Sequence, residues 1–179
     1  MNQIFTKDVI MNHIIYRKST IQDFEKVSHQ IQVSYKAAYN GLMDEQYLSS
    51  LQKDHWVPIL QEAISAGSVC IVAQNQDGII GSVVFGRTTT EPGTDTAELF
   101  SIYLLPEYVG YGIGQKLYSE AEKRMVEQGF KICFLEVLSE NTRAIRFYLT
   151  HGFKEIKKFT VTENGMILNC LAMKKDLQI

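Results

Sequence analysis

Leu104-Leu105-Pro106-Glu107-Tyr108-Val109-Gly110-Tyr111-Gly112-Ile113-Gly114-Gln115-Lys116-Leu117 is the stretch on which the reading of this chain turns. Apolar residues run into Pro106, which closes a strand, and Gly110, Gly112 and Gly114 alternate directly into a helix-forming segment. Glycine permits positive φ and lets a ligand approach the backbone closely. The first-turn N–H groups of a helix lack internal partners and sit at the positive end of its dipole. Such a turn is a ready seat for a phosphate or pyrophosphate. Two well-known phosphate loops do not fit. The dinucleotide fingerprint needs a third glycine where Gln115 or Leu117 stands, and the triphosphate loop needs Gly-Lys followed by Ser or Thr. From this segment alone, a turn that merely joins strand to helix stays open.

Downstream, Ile113, Leu117, Ala121 and Met125 recur every four residues, with Glu120, Glu122, Lys123, Arg124 and Glu127 off that stripe, as a half-exposed helix requires. Gly129 fits a left-handed helix end, and Phe130 folds back onto Met125. Ile132 to Leu138 is a nearly continuous apolar run, a central strand. Asn141 caps a short helix with Ala144, Ile145, Tyr148 and Leu149, which Gly152-Phe153 ends, and a last hairpin turns at Asn164-Gly165. Upstream, Ala97 to Leu105 is a strand, and Val69 to Ala73 with Ile79 to Phe85 form a hairpin turning at Asp77-Gly78. Further back, His13 to Lys18 is a strand. Thr20 and Asp23 form a capping box before a helix carrying Phe24, Val27, Ile31, Tyr35 and Ala38 and stopped by Gly41. Asp44 caps a second helix, with Tyr47, Leu48 and Leu51. A third carries Ile59, Leu60, Ala63 and Ile64, with Pro58 confined to its first turn. Without repeats or linkers, this order predicts one mixed α/β domain over residues 13–175. Residues 1–12 read as a flexible lead-in, with Met11 a candidate start.

The totals narrow the function. In 179 residues, 45% are hydrophobic and 21% charged, the balance of a soluble globular domain. A formal net charge of −2 offers no broad basic surface, so neither nucleic acid nor a membrane is an expected partner. Cys70, Cys133 and Cys170 lack metal-ligand spacing, and their odd number suits a reducing cytoplasm; no metal is expected. His13, His29, His55 and His151 are scattered. Cys133 in an apolar strand, with no histidine paired to it, reads as core rather than as a nucleophile.

Two matches in sequence order resemble the GNAT family of acyl-coenzyme A N-acyltransferases. The glycine stretch is similar to its cofactor motif, Gln/Arg-x-x-Gly-x-Gly/Ala. Gly112 and Gly114 take the small positions, while the Gln/Arg position falls on Val109, a departure. Leu135-Glu136-Val137, then Asn141, Ala144, Tyr148 and Gly152-Phe153, is similar to the family's next strand and helix. Ala97-Glu98-Leu99 before Ile102-Tyr103-Leu104 resembles the strand preceding the glycine loop. The resemblance runs from about Val69 to Lys174. It implies a mostly antiparallel sheet with a central splayed parallel strand pair, flanked by helices, and acetyl-coenzyme A as co-substrate.

Acetyl transfer from a thioester to an amine must remove a proton from an ammonium of pKa about 10.4. It must also stabilise the carbonyl oxygen as it becomes negative, and protonate the leaving thiolate. The resemblance assigns the cofactor phosphates to Val109, Gly110, Tyr111, Gly112, Ile113, Gly114, Gln115 and Lys116. It assigns the pantetheine arm to the main chain of Ile102, Tyr103 and Leu104 and of Glu136 to Leu138, with Asn141 nearby. The N–H near Leu104 becomes the oxyanion donor, and Tyr148, close to the sulfur, the general acid. Glu136 is the first candidate base, since a carboxylate in an apolar strand is costly unless paired or functional; pairing with Arg143 or Arg146 explains it equally well. Glu98 is the alternative base. Tyr35, Tyr39, Tyr47 and Trp56 either line an acceptor pocket or pack. The expected activity is acetylation of a primary amine of a small molecule or peptide by direct attack. A catalytically silent acyl-coenzyme A-binding module is the competing reading, and a nucleotide-binding protein outside the family a third. Neither the acceptor nor a homodimer is decided by the residues.

Overall fold

The computed structural model describes residues 13–90 and 95–177. The expected lead-in over residues 1–12, Met11 included, lies outside them. One mixed sheet runs in the order β1-β2-β3-β4-β5-β7-β6. Its strands are β1 (Ile15–Lys18), β2 (Val69–Asn75), β3 (Gly78–Arg87), β4 (Thr96–Leu104), β5 (Ile132–Leu138), β6 (Lys154–Glu163) and β7 (Met166–Asp176). The helices are α1 (Phe24–Tyr39), α2 (Glu45–Ser50), α3 (Val57–Ser65), α4 (Ile113–Glu127) and α5 (Thr142–Thr150).

Helix α4 forms where the four-residue stripe lies, and Ile113, Leu117, Ala121 and Met125 are fully buried. With α5 it covers one face of the sheet, against Val83, Phe85, Ala97, Leu99, Cys133 and Leu135. Helices α1 and α3 cover the other face, through Phe24, Val27, Ile31 and Leu60 on Cys70, Val72 and Val84. Pro58 sits in the first turn of α3, the one place its missing N–H costs nothing. Gly129 takes φ 83° and Phe130 donates its N–H to the Met125 carbonyl at 3.0 Å, ending α4 as its sequence requires. The capping box forms as expected, with Thr20 donating its N–H to Asp23 Oδ2 at 2.7 Å. It caps a single 3-10 turn ahead of α1, and Arg17 also holds the Asp23 carboxylate, at 2.7 and 2.8 Å.

The feature that positions the site is between β4 and β5. Every other neighbouring pair is antiparallel. These two are parallel and pair only at Thr96↔Ile132, Ala97↔Cys133 and Glu98↔Phe134. Beyond Glu98 they part. The cause lies in β4, where the register with β3 shifts and Phe100 is left as an unpaired extra residue between Leu99 and Ser101. A bulge bends its strand and adds twist, so β4 swings off β5 while remaining on β3. Gly81 in β3 keeps the bent strand close: a Cβ there would lie 2.7 Å from Leu104 Cδ1 and 3.0 Å from Leu117 Cδ1.

Candidate active site

Strand alternation decides which main-chain groups face the opening. Leu105 donates its N–H to the Ile80 carbonyl at 2.9 Å, toward β3. Successive residues of a strand present their N–H and C=O to opposite edges, so Leu104 and Ile102 present theirs to the opening. The amide of Tyr103 is turned toward β3, and what it brings to the site is its side chain. On the other strand, Ser139 donates to Asn169 of β7 at 2.9 Å. By the same alternation Leu138 and Glu136 face the opening. Two strand edges whose peptide groups are turned away from β3 and β7 thus flank a wedge, able to hydrogen-bond an extended, amide-containing arm and to polarise a carbonyl.

At the open end stands the N-terminus of α4. Pro106–Tyr108 form a single 3-10 turn, after which Gly110 and Gly112 take φ 91° and 83°. Lys116 is the first residue to return its N–H to the helix, to the Gly112 carbonyl at 3.1 Å. Among the described residues, the N–H groups from Gly110 to Gln115 donate to no protein acceptor. Consecutive free amides at the positive end of a helix form an anion cradle. There is room for the anion. A Cβ built on Gly110 meets nothing within 4 Å, one on Gly112 only Gln115 Oε1 at 3.7 Å, and one on Gly114 only Phe147 Cε2 at 3.8 Å. Val109, at the position of the motif's Gln/Arg, donates its N–H back to Pro106 and stays outside the run. The Lys116 ammonium is engaged with Glu120 at 3.1 Å.

Tyr148 projects from α5 into the core on the α4 face and is buried. Burial raises its phenol well above the ordinary value, and the Tyr39 hydroxyl and Cys133 thiol push the same way. It therefore stays protonated at neutral pH. Tyr103 stands on the opposite face, its hydroxyl 3.5 Å from that of Tyr39 at the end of α1. Burial raises Tyr103 most, and Tyr39, Tyr35 and then Tyr148 add to it. Asn141 accepts the Ala144 N–H at 3.1 Å, and so caps α5 with its carbonyl oxygen.

The structure separates the two candidate carboxylates. Glu98 is at the closed end, in the last paired step, and accepts a hydrogen bond from Thr88 Oγ1 at 2.8 Å. Glu136 is at the open part of β5. It is exposed, which corrects the premise that its carboxylate is buried in the strand; the charge carries no large desolvation cost there. Cys133 is fully buried, and burial pushes its thiol up to about 12, so no thiolate nucleophile forms at neutral pH. Of the early aromatics, Tyr35 and Trp56 pack together with ring centroids 5.2 Å apart. A surface depression of about 1050 Å³ is lined by Glu122, Lys123, Lys154 and Lys174, none of them part of the cradle.

Sequence reading missed the set of carboxylates around Cys170: burial raises its thiol most, and the charges of Glu136, Glu140 and Glu163 add to it. No local signal announces this set, since it depends on β7 pairing with β5 and carrying the β6–β7 hairpin beside the wedge. The Tyr39 hydroxyl contact was missed as well, although Tyr39 continues the four-residue spacing of Ile31 and Tyr35.

The Acetyltransferase (GNAT) family matches residues 35–153, more than half of the chain. The chain belongs to this family. A spermidine N(1)-acetyltransferase from Thermoplasma acidophilum is 31% identical over 143 residues, 77% of this chain and 86% of that protein. A mouse thialysine N-epsilon-acetyltransferase is 28% identical over 137 residues, 76% of this chain and 74% of that protein. Among solved structures, PaiA N-acetyltransferase from Thermoplasma acidophilum, in complex with coenzyme A, superposes with a TM-score of 0.70 at 28% identity, covering 91% of this chain and 98% of that one. This GNAT chain is thus an α/β acetyltransferase with the splayed sheet of its family. Among its described residues no helix is long and apolar enough to cross a membrane, and no three His, Cys, Asp or Glu side chains gather to hold a metal ion.

Proposed function

We propose that the chain transfers the acetyl group of acetyl-coenzyme A directly to a primary amine of a small molecule or peptide, with a linear polyamine the favoured acceptor. The observation that carries the reading is the run of free N–H groups from Gly110 to Gln115 at the mouth of a wedge between two strands. Acetyl-coenzyme A supplies the activated acyl group and a thiolate leaving group. The amides of Gly110 to Gln115 hold its pyrophosphate, and the edges of Ile102, Leu104, Glu136 and Leu138 hold its amide-bearing arm. The Leu104 N–H, pointing into the wedge, stabilises the carbonyl oxygen as negative charge develops. Tyr148, kept neutral by burial, donates its proton to the departing sulfur. Glu136, in the open part of the wedge, takes the proton of the amine, directly or through water. Attack is direct because Cys133, in the neighbouring core, is buried and protonated.

The acceptor class draws on two supports. Glu136 is exposed on the open part of β5, and Glu136, Glu140 and Glu163 all lie near enough to Cys170 to act on it, negative charge that favours a multiply charged cation. A relative is also named for spermidine. Thermal stability in the presence of acetyl-coenzyme A, coenzyme A, NADH or ATP tests the cradle, since a native-state ligand at 100 times its Kd adds about 2.7 kcal/mol. Stabilisation by the two coenzyme A species alone is the expected result. Thiol release with spermidine, a lysine-type amine and a peptide then ranks the acceptors. Release independent of any added amine would leave a silent binding module as the better description.

A further inference from the structure

Asn75 is the last residue of β2, at the turn into β3 and far along the chain from the glycine loop, yet its side chain joins the two. Its Oδ1 accepts the N–H groups of Asp77 at 2.9 Å and Gly78 at 3.2 Å, which fixes the turn. Its Nδ2 donates to the Tyr108 hydroxyl at 3.0 Å, and lies 3.5 Å from Asp77 Oδ2. Tyr108 closes the 3-10 turn that delivers the chain to Gly110, and its ring packs against the core beneath α4. The segment is thus tied to the β2–β3 hairpin twice: by main chain, from Leu105 to Ile80, and by side chain, from Asn75 to Tyr108. Between Tyr108 and the first turn of α4, no N–H after that of Val109 is tied to any of the described residues until Lys116. The direction in which those amides point is consequently set by the anchor just before them and by the helix just after.

We infer that Asn75 is a positioning residue for the anion cradle, acting through the Tyr108 hydroxyl to hold the amides of Gly110 to Gln115 in the geometry that binds a pyrophosphate. The inference rests on the proposed acetyl-coenzyme A site and adds to it a residue outside the glycine motif. A hydroxyl at 108 without its partner, or an amide at 75 without the hydroxyl, leaves the 3-10 turn held only at Leu105. The loop then pays for ordering when the anion arrives, so affinity falls while the chemistry at the wedge, built from β4, β5 and α5, is untouched.

Tyr108→Phe removes one oxygen, keeps the packed ring and leaves the turn bonds of Asn75 in place. Losing a net hydrogen bond worth about 1 kcal/mol corresponds to roughly a fivefold change in an equilibrium constant. The variant is therefore expected to raise the Kd of coenzyme A and the KM for acetyl-coenzyme A by roughly three- to tenfold, with kcat at saturation and the KM for the amine unchanged. Asn75→Ala is expected to do at least as much, and Asn75→Ala combined with Tyr108→Phe to be no worse than Asn75→Ala alone, since both remove the same contact. Unchanged coenzyme A affinity in Tyr108→Phe, a fall in kcat instead of a rise in KM, or additive losses in the double variant would each overturn the assignment. Wild-type protein that binds no coenzyme A would remove the cradle itself, and the anchor with it. Binding by the wild type and equally by Tyr108→Phe would remove only the anchor.

Discussion

Tyr148 and Gly112 carry the sharpest expectations at the level of single residues. Tyr148→Phe keeps the ring in its buried place and removes only the acidic proton, so kcat should fall by at least ~10²-fold while the Kd of coenzyme A stays put. Steady-state kinetics beside calorimetry reads both numbers, and an unchanged kcat takes Tyr148 out of the mechanism. Since burial raises this phenol above its ordinary 10.0, no falling limb from its ionisation should appear below pH 10. The two glycines should behave differently. Gly112 stands at φ 83° with only Gln115 Oε1 near a new Cβ. Gly112→Ala therefore meets no wall, but forces a side chain into a left-handed conformation costing about 1–2 kcal/mol, and places a methyl group in the cradle. Gly114 has ordinary φ, and an added Cβ touches only Phe147 at 3.8 Å. Coenzyme A titrations should show roughly tenfold or greater weakening for Gly112→Ala and near-native binding for Gly114→Ala. Equal binding by both variants would place the phosphates elsewhere.

Between elements, the decisive contact is α1 on the sheet, because α1 ends at Tyr39 beside the wedge. A polar pin holds it through the apolar interface: Ser82 Oγ of β3 donates to Gln30 Oε1 at 2.7 Å, and Gln30 Nε2 donates to Ser34 Oγ at 2.9 Å. All three side chains are buried. Gln30→Ala strands the Ser82 hydroxyl without a partner and should cost about 1–3 kcal/mol in urea unfolding. Gln30→Leu with Ser82→Ala, which removes both ends of the bond, should recover most of that loss. Full loss in the paired variant would mean that packing volume, not hydrogen bonding, is what Gln30 supplies. Local pattern made most elements legible. The stripe Ile113-Leu117-Ala121-Met125 marks α4, and the apolar run Ile132–Leu138 coincides with β5. Periodicity does not reach pairings between distant strands. Phe100 looks like any strand residue, yet as the bulge it opens the wedge, and its role depends on the register with β3. Asn75 and Tyr108 likewise meet only once β3 has folded back on β2.

For the molecule as a whole, the buried ionisable groups make stability depend on alkaline pH, with a sign that follows from burial. The core of each face holds a cysteine: Cys70 under α1 and Cys133 under α4 and α5. Burial, the leading cause in both, pushes Cys70 up to about 11 and Cys133 up to about 12 from an ordinary 9.0. Above pH 9 the unfolded chain releases these protons while the folded chain keeps them, so the unfolded state binds fewer protons and ΔG of unfolding falls as pH rises. The contribution is fully present below pH 9 and is lost progressively toward pH 11–12. Tyr118, also raised chiefly by burial and set in the core between α4 and the sheet, extends the same trend above pH 10. Midpoint temperatures should therefore show no thiol-linked fall from pH 7 to 9 and should drop steadily from pH 9 to 11. Over the same range the native protein should resist a thiol-alkylating reagent at Cys133, while the urea-unfolded protein reacts. A midpoint that climbs between pH 9 and 11, or rapid alkylation of native Cys133, would mean that the two faces of the sheet do not exclude water as this packing requires. It would also reopen the route through an acyl-cysteine, which the protonated thiol now closes.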